Sequence, residues 1–296
     1  MEDRDQIIEF TEKLHDKPEL TSNERTNRIV NSTVAFVASY AIIYILFYFI
    51  TAIYAKRNLL LVKFFFFKVE YTSDYNVWLQ DPVVKTFIAG PIACLIIGVL
   101  ALVVQKFFKK RPGIMKLFLL WLGINGLNFF LTQMALLPIK NVGKADKYAS
   151  HIGVVFDYMY WQNDLVKLVF SILSLIALII IGGLVAKPFV QITNTTKHVY
   201  KSESRFVYLF QMVFLPYLIG SAVNLIYFAD GEFILNITSI FTLFIIIVSI
   251  FINALGNRMI MIYRFPDKSE IENKFLVILS SVLILIKVFF NNGISF

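Results

Sequence analysis

From Asn31 to Phe290 the chain alternates long apolar runs with short segments in which Lys and Arg collect. Each run is about the length that crosses a bilayer, because roughly 20 apolar residues at a 1.5 Å rise span the hydrocarbon core. In lipid the backbone must satisfy its own hydrogen bonds, so each run is read as a helix and the fold as all-α. The runs predict a polytopic bundle of six or seven spanning helices near 33–55, 83–105, 114–138, 165–186, 206–229, 233–255 and 275–290. The last is the shortest, and Lys287 near its end would have to snorkel to the interface. The chain then divides into a polar leader over 1–32, the transmembrane bundle over 33–290 and a C-terminal tail over 291–296.

Two segments outside the runs carry their own pattern. Leu59 to Thr72 reads LLLVKFFFFKVEYT, with Phe64, Phe65, Phe66 and Phe67 consecutive between two lysines. Four adjacent Phe side chains are too apolar to leave in water, so the segment belongs at the membrane boundary. It is expected to form a short membrane-associated β-hairpin, with Phe64 and Phe66 on one face and Phe65 and Phe67 on the other; a short interfacial helix or a simple aromatic belt is the alternative. In the leader, Ile7, Phe10 and Leu14 recur at i, i+3 and i+7 among charged residues, a short amphipathic helix that stops before Pro18. Its stripe is expected to dock on a partner or the membrane surface, unless the leader is simply solvated. The leader lacks the apolar core of a cleavable signal, so the first run is expected to act as an uncleaved signal-anchor.

Composition closes off the soluble classes. With 58% hydrophobic and 16% charged residues and a mean hydropathy of +0.70, too few polar side chains remain to clothe a globular surface. The net charge of +8 is a topology signal. Cations cluster at Lys17, Arg25 and Arg28, at 106–116, at 187–205 and at 258–274, and these ends fall on one side if the N-terminus is cytoplasmic. Lys56, Arg57, Lys63, Lys68 and Lys85 then lie outside, which makes the basic first loop the poorest fit to the rule. No basic stripe interleaves with a soluble aromatic platform, so membrane lipids, and not nucleic acid, are the expected partners of this charge. Cys94 has no disulfide partner in the chain and is read as a small packing residue.

Chemistry within the membrane plane is sparse. Asn125, Asn128 and Thr132 fall at i, i+3 and i+7 on one face of the third run, with Gln133 beside them. This face either hydrogen-bonds to neighbouring helices or lines a polar groove, with Gln211, Asn224 and Asn253 as candidate partners. Gly90-Pro91, Gly123, Gly126, Pro216 and Gly220 mark close helix approaches or kinks. No Asp, Glu or Arg falls at the centre of a run and no internal repeat stands out, which disfavours an ion-coupled transporter. The stretch from His151 to Asp164 is aromatic and suited to the interface. The chain has three histidines, at 15, 151 and 198, and they do not form a recognisable zinc set. No Gly-x-Ser-x-Gly elbow or Gly-rich phosphate loop occurs. No catalytic residue, metal or cofactor is assigned.

Three segments taken in order resemble the intramembrane zinc metalloproteases of the site-2 protease type. The helix holding Tyr44-Ile45-Leu46-Phe47-Tyr48 leads into the β-prone Leu59 to Thr72 stretch, Ala89 to Cys94 reads AGPIAC like the Gly-Pro-[Leu/Ile]-Ala-Asn of that family, and Leu136-Leu137-Pro138-Ile139 precedes Asp146. In that family the first helix carries His-Glu-x-x-His. Here Tyr44 and Tyr48 stand at the His positions and Ile45 at the Glu position, so the resemblance implies a degenerate relative lacking the zinc ligands and the general base. The expected function is that of a non-catalytic multi-pass membrane protein, acting as a subunit or scaffold of a larger assembly of membrane protein subunits or as a holder of another transmembrane segment. A passive or lipid-handling transporter and an intramembrane hydrolase are the alternatives. The Ile, Phe, Asn and Lys richness and short loops suggest a bacterial inner membrane.

Overall fold

A computed structural model describes residues 22–73, 78–108, 113–139, 150–192, 202–229, 231–256 and 273–295. The anticipated leader helix of Ile7, Phe10 and Leu14 lies outside them. In chain order the elements are α1 (Ser22–Arg57), β1 (Val62–Phe65), β2 (Lys68–Tyr71), α2 (Gln80–Val104), α3 (Ile114–Ala135), α4 (His151–Tyr158), α5 (Asp164–Val190), α6 (Ser202–Leu209), α7 (Leu215–Tyr227), α8 (Phe233–Gly256), α9 (Asn273–Phe290) and β3 (Ile294–Ser295). Among the described residues six helical stretches are long and apolar enough to cross a membrane; α6 and α7 form one of them, joined through a π-helical turn over Phe210–Phe214. The protein is a multi-pass integral membrane protein, all-α apart from one small sheet. α9 has 18 residues and is about 27 Å long, close to the hydrocarbon thickness.

The helix starts and ends depart from the apolar runs where packing extends them. α1 begins at Ser22, ahead of Thr33, because its first turns pack on the fifth span. Arg28 lies 4.8 Å from the centre of the Tyr208 ring, and Ser32 Oγ donates to the Met212 carbonyl at 2.5 Å. That carbonyl sits four residues before Pro216, which has no N–H to offer it, so Ser32 replaces the bond that proline removes. Trp121 Nε1 in turn donates to Ser32 Oγ at 3.0 Å, tying α3 to the same point. α3 stops at Ala135, three residues before Pro138, and α5 runs on past 186 through Pro188 to Val190.

Glycines set the closest approaches. A Cβ on Gly126 would lie 2.8 Å from the Cys94 carbonyl and 2.9 Å from Gly98 Cα, so α2 and α3 touch backbone to backbone. Small residues allow this contact, which replaces the hydrophobic drive that lipid removes. Two aromatic-rich cores result. One centres on Trp121, Phe189 and Ile246, and the other, at the hairpin end, on Tyr44, Phe47, Phe129 and Phe228.

The expected hairpin forms. β1 and β2 are antiparallel with Phe65 opposite Lys68, and Phe66-Phe67 make the two-residue turn. On its other edge β1 pairs with β3, so Ile294 and Ser295 of the expected tail are a strand opposite Phe64 and Lys63. Phe64 packs against Phe49 and Phe290, and Phe66 against Tyr227 and Phe228; both are buried, as is Phe67. Phe65 is half-buried between the ammonium groups of Lys63 and Lys68, at 5.1 and 5.3 Å.

Candidate functional site

Helical periodicity puts Asn125, Asn128 and Thr132 of α3 on one line, and the structure turns that line inward. Asn125 Nδ2 donates to Ser39 Oγ of α1 at 2.8 Å, and Asn128 Nδ2 to the Ser239 carbonyl of α8 at 2.9 Å. Thr132 Oγ1 lies 2.7 Å from Thr242 Oγ1 and 2.7 Å from the Asn128 carbonyl. Tyr40 Oη extends the line, donating to Asn236 Oδ1 at 3.3 Å and lying 3.1 Å from Ser239 Oγ. The result is a polar seam between α1, α3 and α8.

The other polar positions do not join it. Gln211 accepts from Arg28 Nη1 at 3.5 Å, and Asn253 donates to the Ser249 carbonyl one turn back at 2.9 Å. Asn224 is buried on α7 with neither amide atom hydrogen-bonded, next to a similarly unbonded Ser221 Oγ. The partners of the α3 face are instead small hydroxyl residues, Ser39, Ser239 and Thr242. They are too common in membrane helices to stand out in the sequence.

At the hairpin end the chain brings together six residues from five elements or their flanks. Tyr44 and Tyr48 lie one turn apart on α1, Tyr71 ends β2, Gln133 is near the end of α3, His151 opens α4 and Glu232 precedes α8. The α4 helix is held by Ser150, whose Oγ accepts from the Gly153 N–H at 2.9 Å, and by Lys167 of α5, which donates to Asp157 Oδ1 at 2.5 Å. The His151 N–H donates to Gln133 Oε1 at 2.7 Å. The imidazole sits between Phe47 and Phe87, with ring centres 4.7 and 5.0 Å away. Burial among these rings pushes its pKa down to about 3, so it is a neutral imidazole at physiological pH. Its Nε2 is 3.9 Å from Glu232 Oε1, beyond hydrogen-bond length.

Glu232 lies within electrostatic reach of Tyr44, Tyr48 and Tyr71. Burial, and then this carboxylate, pushes the Tyr71 hydroxyl well up. Tyr44 Oη donates to the Phe67 carbonyl at 3.1 Å. Around it, Tyr48 Oη, Tyr71 Oη, Gln133 Nε2 and His151 Nδ1 are all buried without a hydrogen-bond partner. Each such group costs about 1–3 kcal/mol of stability relative to a bonded one. Together they offer donors from two phenols and an amide, and one nitrogen of a neutral imidazole, beside a carboxylate. That mixture suits a polar group with both donors and acceptors, such as a peptide unit. The cluster contains no Ser, Thr or Cys nucleophile, and among the described residues no three His, Cys, Asp or Glu side chains converge as a metal site. Asp146 and His198 lie outside the described residues.

Sequence reasoning reached Tyr44 and Tyr48 only through the family resemblance, and missed Glu232 and Tyr71. The available signal was the spacing of Tyr40, Tyr44 and Tyr48 at i, i+4 and i+8, an unusual phenolic stripe along an apolar helix. With the geometry in hand, comparison with known proteins finds no matching family model, curated protein or solved structure.

Proposed function

We propose that this membrane protein works by binding, as a subunit or scaffold of a larger membrane assembly or as a holder of another transmembrane segment. The observation that carries the reading is the cluster around Glu232, where four buried polar atoms from four elements lack partners within the chain. A polar segment of another chain entering at Glu232, which is 39% exposed, would complete them. The bonded seam of Asn125, Asn128 and Thr132 supports a packing role for that face in place of an aqueous groove. Tyr44 and Tyr48 meeting at this cluster, after which the chain turns into the hairpin, is in keeping with a zinc-free relative of the site-2-type proteases. The cation distribution supports a cytoplasmic N-terminus with the hairpin on the far side, and the composition a bacterial inner membrane. Purification in several mild detergents with mass analysis of co-eluting chains tests the reading. A stoichiometric partner, lost when Tyr48 and Tyr71 are both changed to Phe, is expected; a clean monomer in every detergent would contradict it.

A further inference from the structure

The outer faces of α1 and α2 flank an open groove of about 460 Å³, away from the Glu232 cluster. Its lining is apolar except at one end, where Lys85 stands beside Tyr54. The missing side-chain bulk at Ala89 and Ala93, one turn apart on α2, opens it, and Ile53 of α1 closes the opposite wall. From Lys85 to Ile96 the groove follows α2 for eleven residues, about 16 Å. That is about half of the hydrocarbon core, the depth of one leaflet.

The charged end lies at headgroup level. Lys85 is in the second turn of α2, close behind Trp78, and its side chain is 58% exposed. Lys56 and Arg57 occupy the last turn of α1, and Asn58 Nδ2 reaches Thr86 Oγ1 at 3.4 Å, which places that cationic turn next to Lys85. Asp81 accepts from Lys85 at 2.5 Å but is itself 74% exposed, so the pair is open to a competing anion, and Arg57 adds a further cation at this end.

We propose that this groove is a binding site for one anionic phospholipid, with an acyl chain lying along α2 from Lys85 to Ile96 and the phosphate at Lys85. The length match fixes the chain and the cationic end fixes the sign of the headgroup. The site depends only on the protein being in a membrane, and is independent of whether another chain occupies the Glu232 cluster.

Native mass spectrometry of the full chain, delipidated and titrated with phosphatidylglycerol or phosphatidylcholine of matched chains, tests it. The wild type is expected to retain one phosphatidylglycerol about fivefold more tightly than phosphatidylcholine. Lys85→Gln should lower that preference to about twofold while leaving chain binding, since the α1 turn stays cationic, and Ala93→Phe should weaken retention of both lipids by filling the groove. A wild type without preference, a Lys85→Gln protein that keeps it in full, or an Ala93→Phe protein that retains both lipids undiminished would overturn the proposal. Loss of a co-purifying protein partner in the Tyr48 and Tyr71 variants bears on the other site and leaves these outcomes unchanged.

Discussion

Polar groups in the middle of the bundle and those at its hairpin end are treated in opposite ways. In the seam, every amide or hydroxyl of Asn125, Asn128 and Thr132 makes at least one bond, to α1, α8 or its own helix, although Asn125 Oδ1 and Asn128 Oδ1 keep open acceptors. At the hairpin end, the Tyr48 and Tyr71 hydroxyls make none of good geometry, Tyr48 having only the looser reach of Tyr44 and Glu232. Both regions hold polar atoms that are fully buried, Asn125 and Thr132 in the seam, Tyr48 and His151 in the cluster, and both draw on α1 and α3, so burial alone does not separate them. Bonded polar groups fix which helices meet and in what register. Unbonded ones weaken the fold where they stand, which is a reason to look for what else they bind.

The largest effect that separates the two regions should come from the helix contact beneath the seam. Gly126→Leu would drive a side chain into the Cys94 carbonyl and Gly98, and is expected to cost about 2–3 kcal/mol, read as a lowered midpoint in denaturation from mild detergent.

Next is the pH response of the cluster. His151 has its pKa pushed down to about 3 in the fold, against 6.5 in an unfolded chain. The unfolded chain therefore binds more protons between these values. The stability is fully present above about pH 6.5 and falls as the pH drops toward 3, by about 2 kcal/mol between pH 7.5 and pH 5. His151→Phe, which keeps a ring between Phe47 and Phe87, should flatten that slope; an unchanged slope would remove His151 as its source.

Smaller still is a paired comparison of hydroxyl deletions. Thr132→Val removes a bond between α3 and α8 and should cost about 1 kcal/mol. Tyr48→Phe removes an unbonded buried hydroxyl and should leave stability level or slightly raised. Equal losses in the two variants would erase the distinction between seam and cluster.

How far the sequence anticipates this molecule follows from the range of the interactions involved. The spans are legible because each is a continuous apolar run, and the hairpin because four adjacent Phe must find cover. The α3 face is legible because Asn125, Asn128 and Thr132 share one helix at a fixed period. The early start of α1 is not, since Arg28 and Ser32 are polar and become helical by bonding to residues some 180 positions away. α4 is hidden for the same reason: eight residues are too few for a clear period, and the helix is held by Ser150 and Lys167. The Glu232 cluster is the least legible, because Tyr44, Tyr48, Tyr71, Gln133, His151 and Glu232 are scattered over most of the chain and only tertiary packing unites them. Gln211, Asn224 and Asn253 show the converse, since these polar residues on other helices face elsewhere.

The smallest expected effect lies in the turn between α1 and the hairpin. Leu60 N–H bonds to the Ala55 carbonyl at 2.9 Å and Leu59 N–H to the Lys56 carbonyl at 3.1 Å, a Schellman closure that puts Leu59 at φ 63°. A leucine is strained there and its side chain is 83% exposed, so Leu59→Gly should raise stability by about 0.5–1 kcal/mol without touching either polar region.

The most direct test of a binding role for the Glu232 cluster is site-specific photo-crosslinking in native membranes. A benzophenone-bearing phenylalanine placed at Tyr71 is expected to capture a second chain, whereas the same group at Trp121, one turn before Asn125 and in the other core, should react only within the protein. Capture at both positions, or at neither, would contradict the division of the bundle into a packing seam and a binding cluster.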